Sequence, residues 1–442
     1  MIKFGTGGWR AIIGDEFTKA NVQLLTAGLC TLMKKQGVSS QGVCVGYDRR
    51  FLSKQSSQWA SEVFAGYGIP CLLLVREAPT PLIMFTVKER LLPYGMAITA
   101  SHNPALYNGI KLFIEGGADA PEELTCALEA ELAQIEGAEI PTIPFESALE
   151  QGKVTLINPF NEYIDSILRR IDVQAIKNAQ LRVALDPMFG VSKTSLQTIL
   201  LTCRCEVDVI HERHDTLFGG RLPSPTAGTL KLLSNFVVEN GCSLGIATDG
   251  DADRVGIIDA NGEFIHPNII LVLLYYYLLK YRGLKGAVVR NLSTTHMLDK
   301  VAKAFGENCY EVPVGFKHIS LKMHETGALI GGEASGGLTV CGHLPGKDGI
   351  YAASLLVEMA AVTNRPLLET YRELEAQFGR LYFEEEDFPL NAQSAKELSK
   401  LLFEEKALPK FGALIKSVSY LDGCKVTFAN GGFAVVRFSG TE

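Results

Sequence analysis

No CxxC pair occurs among the ten cysteines of this 442-residue chain. Thiols scattered in this way fit a reducing, cytoplasmic setting rather than a disulfide framework. The closest pair, Cys203 and Cys205, is expected to share one face of a strand. Long apolar runs are also missing. The longest, IILVLLYYYLL at 269–279, falls well short of the ~20 residues that cross a bilayer, so it is expected to be a buried helix. The opening MIKFGTGGWR has no apolar signal core. Nor is there an excess of basic charge. At a net charge of −7 the chain offers no global field for nucleic acid or an anionic membrane, so an anionic small substrate would need a local cationic pocket. Without a Walker A sequence a nucleotide is not suggested, and without Gly-x-Ser-x-Gly a hydrolase elbow is not suggested.

What is present fits a globular protein. Hydrophobic residues make up 47% and charged residues 21% of the chain, enough for real cores. At about 100–200 residues per domain, the length predicts two to four domains. GVCVGYD (42–48), CLLLVRE (71–77) and YGMAITAS (94–101) read as strands with helices between them, apolar enough to be buried on both faces. The pattern restarts after EGAEIPTIP with LRVALDPM (181–188), EVDVIHE (206–212), SLGIATD (243–249) and the hairpin VGIIDANGEFI. It restarts again with GAVVRNL, YEVPVG and ALIGGE, though no sequence repeat links the three units. The last segment carries Asp422-Gly423 and Asn430-Gly431 turn signals between alternating strands, the mark of a small antiparallel sheet.

Four loops sit where α/β folds place ligands. In TASHNP (99–104), Pro104 is expected to hold an extended loop that carries Ser101 and His102. In DGDADR (249–254), Asp249, Asp251 and Asp253 alternate, so an extended backbone would bunch three carboxylates on one side. Bunched carboxylates repel unless a cation sits between them, and a hard, oxygen-loving ion such as Mg²⁺ is the natural occupant. An EF-hand is excluded, because the sixth and twelfth positions are Arg254 and Ala260. In GGEASGG (331–337), Glu333 and Ser335 suit sugar hydroxyls on a backbone that lets a ligand approach. In RFSGTE (437–442), Arg437, Ser439, Gly440 and Thr441 could form a phosphate nest.

These four loops, in this order, resemble those of the α-D-phosphohexomutase family, as do FGTGGWR (4–10) and YNGIKLF (107–113). PVGFKHI and GHLPGKDGIYAA look nearer to bacterial phosphoglucomutase/phosphomannomutase members than to phosphoglucosamine mutases. The resemblance implies three related α/β domains with mixed sheets and a smaller C-terminal α+β domain around one cleft. We place them at 1–155, 156–259, 260–372 and 373–442. It implies phosphoryl transfer between the 1- and 6-positions of a hexose phosphate, glucose first and mannose second. Mg²⁺, a phosphoserine and glucose 1,6-bisphosphate would take part, and the protein would be a monomer or homodimer. Ser101 would be the phosphoserine and would complete the Mg²⁺ shell of Asp249, Asp251 and Asp253. Lys111 and Arg10 would neutralise charge at the reacting phosphoryl group. Lys111 could also be a general base if cationic neighbours lower its pKa, with His102 as a second acid/base candidate. Arg254 would orient the acidic loop, and Glu333 and Ser335 would grip the sugar's 3- and 4-hydroxyls. Gly315 and Lys317 would read its anomeric side, and Arg437, Ser439, Gly440 and Thr441 would hold the phosphate that is not reacting.

Two departures from the family stand out. Gly337 stands where some members have a proton-transferring His, so that role would pass to Lys111 or a residue such as His343. Lys347 reads equally well as a surface lysine. The family continues beyond the position of Glu442 with Pro and further structure, so the chain is expected to be cut short there. Three rival readings remain: a phosphoglucosamine mutase, a sugar-phosphate-binding protein without turnover, and a haloacid-dehalogenase-type phosphotransferase. The last would take Asp251 of DADRV as its nucleophile and leave TASHNP and RFSGTE without a role.

Overall fold

The computed structural model describes residues 2–5, 7–386 and 388–438. Its three α/β sheets share one strand order. In the first, Tyr107–Ile114, Tyr94–Ile98, Val43–Tyr47 and Cys71–Leu74 lie side by side, parallel except for Tyr107–Ile114. The second places Val255–Asp259, Leu244–Thr248, Arg182–Asp186 and Glu206–Val209 in the same order and senses. The third repeats them with Leu338–Val340, Ile330–Gly332, Val288–Asn291 and Cys309–Val312. In each unit a parallel strand is followed by one that doubles back antiparallel to it. The reversals are the loops after Ile98, Thr248 and Gly332, which carry Ser101, the three aspartates and Glu333. Strand order thus expresses a repeat that side-chain identity does not.

A smaller antiparallel sheet of Ile415–Ser419, Cys424–Phe428 and Phe433–Val436 forms the fourth unit. Its connections are the Asp422-Gly423 and Asn430-Gly431 turns that the sequence predicts.

Two edge strands extend to the far side of expected boundaries. Val154–Ile157 pairs in parallel with Cys71–Leu74, so the first sheet runs past residue 155. Phe264–Ile265 pairs with Val255–Asp259, so the second runs past 259.

The apolar run at 269–279 lies in the helix Pro267–Lys280, buried from Ile270 to Leu279. Each Leu or Ile removed from water there contributes roughly 1.5–3 kcal/mol, which explains a helix with no polar face. The helix Gly349–Thr363 is likewise buried from Gly349 to Ala360 and packs against Val173–Ala179 and Lys193–Thr202 of the second unit. One core cluster consequently runs through three units, joining Leu82, Leu185, Ile246, Tyr275 and Val288. Cys203 and Cys205 are both buried but flank a turn between the helix Lys193–Thr202 and the strand Glu206–Val209, so they do not share a strand face. Among the described residues, no helix is long and apolar enough to cross a membrane.

Candidate active site

The three reversal loops converge. Ser101 Oγ donates to Asp249 Oδ2 at 2.8 Å, joining the first and second units in a seam where both residues are fully buried. The loop that delivers Ser101 is a turn and not the extended segment expected from Pro104. Ser101 has φ +52°, and Asn103 N donates to Ala100 O at 3.0 Å. A non-glycine residue in the left-handed region costs about 1–2 kcal/mol and must be held there.

The holding group is Arg50. Its Nη2 donates to Ser101 O (2.7 Å) and Asn103 O (2.6 Å), and its Nη1 to Pro104 O (2.8 Å) and Tyr107 O (3.0 Å). The guanidinium is itself buried, stacks 4.9 Å from the Phe218 ring and faces Asp48. Asp48 in turn accepts from Thr99 Oγ1 and Ser53 Oγ, each at 2.7 Å. Sequence reasoning missed this pair. The signal was GYDRR, a strand ending in charges that nothing on the surface required.

Asp249, Asp251 and Asp253 present oxygens that lie within 4.8 Å of one another. A turn gathers them, with Ala252 at φ +62° and Ala252 N on Asp249 O, where the alternation predicts an extended strand. Two ammonium groups partly balance the charge. Lys111 Nζ lies 2.7 Å from both Asp251 Oδ2 and Asp253 Oδ2, and Lys347 Nζ 3.0 Å from Asp253 Oδ2. Thr80 adds a hydroxyl to Asp251 Oδ2 at 2.6 Å. The Oδ1 atoms of Asp251 and Asp253 are buried and have no hydrogen-bond partner among the described residues. An all-oxygen set with two orphaned buried carboxylate oxygens fits a hard divalent cation.

The electrostatics follow from this geometry. Burial, together with the charges of Asp251 and Asp253, pushes the Asp249 carboxyl well above the ordinary value. For Asp253, burial is outweighed by Lys111, Lys347 and Arg254, which hold its carboxyl well below that value. Lys111 runs opposite to the expectation. Burial would pull its pKa down, but the carboxylates of Asp251 and Asp253 push it up, so it is held as a cation and not as a poised base.

The remaining predicted residues sort clearly. Arg10 Nη1 donates to Asn103 Oδ1 at 2.5 Å, beside the serine loop. His102 Nδ1 lies 3.4 Å from Ser101 Oγ. Arg254 donates its backbone N–H to Asp249 Oδ1 at 3.0 Å, and its chain bridges to Gly337 of the third reversal loop. Glu333 is buried and accepts from Gly315 N (3.1 Å) and Asn291 Nδ2 (3.3 Å), whereas Ser335 is exposed. Lys317 reaches Glu122 of the first unit at 2.8 Å. Arg437 is paired with Asp422, and Ser439, Gly440 and Thr441 lie outside the described residues.

His343 is buried and engaged with the helix that follows it. Its Nε2 is 2.6 Å from Asp348 Oδ2, where Asp348 also accepts from Tyr163 and caps the helix Gly349–Thr363. Lys347 is no surface lysine. A Cβ at position 337 would lie 2.2 Å from Lys347 Cδ, so the bare Gly337 leaves the room through which Lys347 reaches Asp253.

The profiles of the phosphoglucomutase/phosphomannomutase alpha/beta/alpha domains I, II and III match residues 1–139, 161–262 and 266–378. The chain belongs to the phosphoglucomutase/phosphomannomutase family. A phosphoglucomutase/phosphomannomutase of Thermococcus kodakarensis is 31% identical over 441 residues, 99% of this chain and 92% of that protein. A phosphoglucosamine/phosphogalactosamine mutase of Sulfurisphaera tokodaii is 28% identical, with 99% and 93% covered. A crystal structure from Thermus thermophilus, provisionally named a phosphomannomutase, superposes with a TM-score of 0.86 at 30% identity, covering 99% of this chain and 93% of that one. The three α/β units and the small antiparallel unit are therefore the family's fold, and its hexose-phosphate mutase activity is this chain's class of reaction.

Proposed function

We propose that the protein interconverts the 1- and 6-phosphates of a hexose, glucose first and mannose second, through phosphorylated Ser101 and a hexose 1,6-bisphosphate. The observation that carries this reading is the 2.8 Å contact between Ser101 Oγ and Asp249 across a buried seam. A hydroxyl beside an acidic triad suits phosphoryl transfer, with a cation held by the carboxylates next to the reacting oxygen. Asp249, Asp251, Asp253 and a phosphate oxygen on Ser101 would hold Mg²⁺, which when bound withdraws charge from the transferring group.

In the forward half-reaction the phosphorus–Oγ bond of phosphorylated Ser101 breaks as the sugar's free hydroxyl oxygen bonds phosphorus. The hydroxyl proton ends on Ser101 Oγ, and His102, 3.4 Å from that oxygen, is the group we assign to carry it. Lys111 and Arg10 remain cationic and offset the charge that spreads over the phosphoryl oxygens. Glu333 and Ser335 would take the sugar hydroxyls, and Arg437 with residues 439–441 the other phosphate. After the bisphosphate turns over, the same steps run backward and return a phosphoryl group to Ser101.

The phosphoglucosamine reading is favoured by the names of several relatives, among them the Sulfurisphaera tokodaii mutase and a Pyrococcus furiosus protein, 30% identical over 99% of this chain, provisionally named a phosphoglucosamine mutase. A coupled assay with Mg²⁺ and glucose 1,6-bisphosphate, comparing glucose, mannose and glucosamine 1-phosphates, separates the two. We expect the highest kcat/KM for glucose 1-phosphate. Preference for glucosamine 1-phosphate would install the second reading, and no turnover of any of them would leave a binding protein.

A further inference from the structure

Two consecutive amides of one loop are held by carboxylates from different units. Val314 N donates to Asp422 Oδ2 at 2.8 Å, and the next amide, Gly315 N, donates to Glu333 Oε1 at 3.1 Å. Asp422 belongs to the fourth unit, in the turn between Ile415–Ser419 and Cys424–Phe428. The same carboxylate accepts from Arg437 Nε through both oxygens, at 3.1 and 3.0 Å. That grip uses only Nε, and among the described residues the two terminal nitrogens of Arg437 have no hydrogen-bond partner. Both side chains stay about a quarter exposed, 27% for Arg437 and 25% for Asp422, so a ligand can reach them. Gly423 makes the turn fit: φ is +81°, and a Cβ there would lie 2.5 Å from Val436 O, beside Arg437.

The run Arg437–Asp422–Val314–Gly315–Glu333 is thus one hydrogen-bonded path from the fourth unit to the sugar-facing carboxylate of the third. The sequence marks Asp422 only as a turn residue. We infer that Asp422 is a positioning residue that couples the phosphate grip of Arg437 to the loop that sets Glu333. The inference rests on the proposed reading that Arg437 meets a ligand phosphate and Glu333 a sugar hydroxyl. When phosphate draws Arg437 into place, Asp422 comes with it and fixes the amide of Val314. Gly315 then presents its own amide to Glu333 in a single orientation. Ion-assisted contacts of this kind are stronger than neutral ones and geometrically selective. The coupling rewards a ligand that has both a phosphate and a sugar, and gives nothing extra to phosphate alone.

The test compares the full-length protein with its Asp422→Ala, Asp422→Asn and Arg437→Ala variants. For each, KM and kcat for glucose 1-phosphate, the inhibition constant of inorganic phosphate and the melting temperature are measured. We expect Asp422→Ala to raise KM about tenfold while weakening inorganic phosphate less than about threefold. Asp422→Asn keeps an acceptor for Val314 but loses the ionic hold on Arg437, and should fall between Asp422→Ala and the unaltered protein. Arg437→Ala should weaken both ligands, and adding Asp422→Ala to it should cost little more. Equal weakening of sugar phosphate and inorganic phosphate in Asp422→Ala, or full additivity with Arg437→Ala, would overturn the coupling. If the unaltered protein does not turn over glucose 1-phosphate, the two binding constants still decide the matter, by displacement of a labelled sugar phosphate. The proposed reaction would then fail while the coupling stands or falls on its own. Failure to bind either ligand would end both.

Discussion

Arg50 and Ser101 are bound together by a 2.7 Å hydrogen bond from the guanidinium Nη2 to the serine's own carbonyl oxygen. That bond is one of four from a single buried side chain to the backbone of the serine turn, and it explains how a serine is kept at φ +52°. The first prediction concerns this residue. Arg50→Lys supplies a point charge in place of a planar fork and cannot reproduce two pairs of bonds. We expect kcat for hexose 1-phosphate to fall by about 10²-fold or more, because misplacement of the reacting oxygen by an ångström costs on that order. KM should change little. Parallel steady-state kinetics and melting curves check this, and an unchanged kcat would remove Arg50 from the account.

The orphaned oxygens of Asp251 and Asp253 give the second prediction. A ligand that binds only the folded state stabilises it by RT ln(1 + [L]/Kd), about 2.7 kcal/mol at a hundredfold excess over Kd. Mg²⁺ should therefore raise the melting temperature of the unaltered protein, and chelation should reverse the rise. Asp251→Asn should lose that response. A metal-independent melt in the unaltered protein would contradict the assignment of the triad.

A third prediction concerns pH and the seat of the fourth unit. His296 Nε2 lies 3.1 Å from Lys425 Nζ, its Nδ1 lies 3.3 Å from Gly431 O, and its ring packs on Phe433. Arg290, Asp299 and Glu311 complete the cluster. Burial, then the charges of Arg290 and Lys425, lower the His296 pKa below the ordinary 6.5. The folded state therefore binds the proton less well than the unfolded one. The stability of this contact is complete above about 6.5 and declines as pH falls through that value toward the lowered folded pKa. We expect the protection factors of amides in Cys424–Val436, with the intrinsic pH dependence of exchange divided out, to fall as pH drops from about 7.5 to about 5.5, and His296→Gln to flatten the response. An equal fall in the variant would place the switch elsewhere.

Gly337 gives the fourth. A methyl group there would collide with Lys347 Cδ, so Gly337→Ala should force Lys347 away from Asp253. About a tenfold loss of kcat/KM is the expected scale for displacing one charged group from the reacting end. Lys347→Ala alone should produce a similar loss, and the two together little more. Additive losses would show that the residues act separately.

Much of this site is legible because its chemistry is carried by runs of adjacent residues. TASHNP, DGDADR and GGEASGG each mark a reversal loop, and their residue types announce a hydroxyl, a cluster of three carboxylates and a further carboxylate on a glycine-rich turn. Legibility fails where function depends on residues far apart in sequence. Arg50 lies 51 positions from the carbonyl it holds, and Asp422 lies 108 from the amide it accepts. Lys347 can be told from a surface lysine only once the fold has brought it against Gly337. The protonation of Lys111 escapes the sequence for the same reason: the two carboxylates 2.7 Å from its ammonium belong to another unit. The repeated strand order leaves no trace in residue identity, because burial asks each strand only to be apolar.

The central claim is that Ser101 carries the phosphoryl group, and mass spectrometry tests it most directly. The protein is incubated with Mg²⁺ and glucose 1,6-bisphosphate, then digested and mapped. The account predicts one phosphoryl group on Ser101, lost on adding excess glucose 6-phosphate, with neither phosphorylation nor turnover in Ser101→Ala. A phosphoryl group on Asp251 instead, or undiminished turnover by Ser101→Ala, would contradict it.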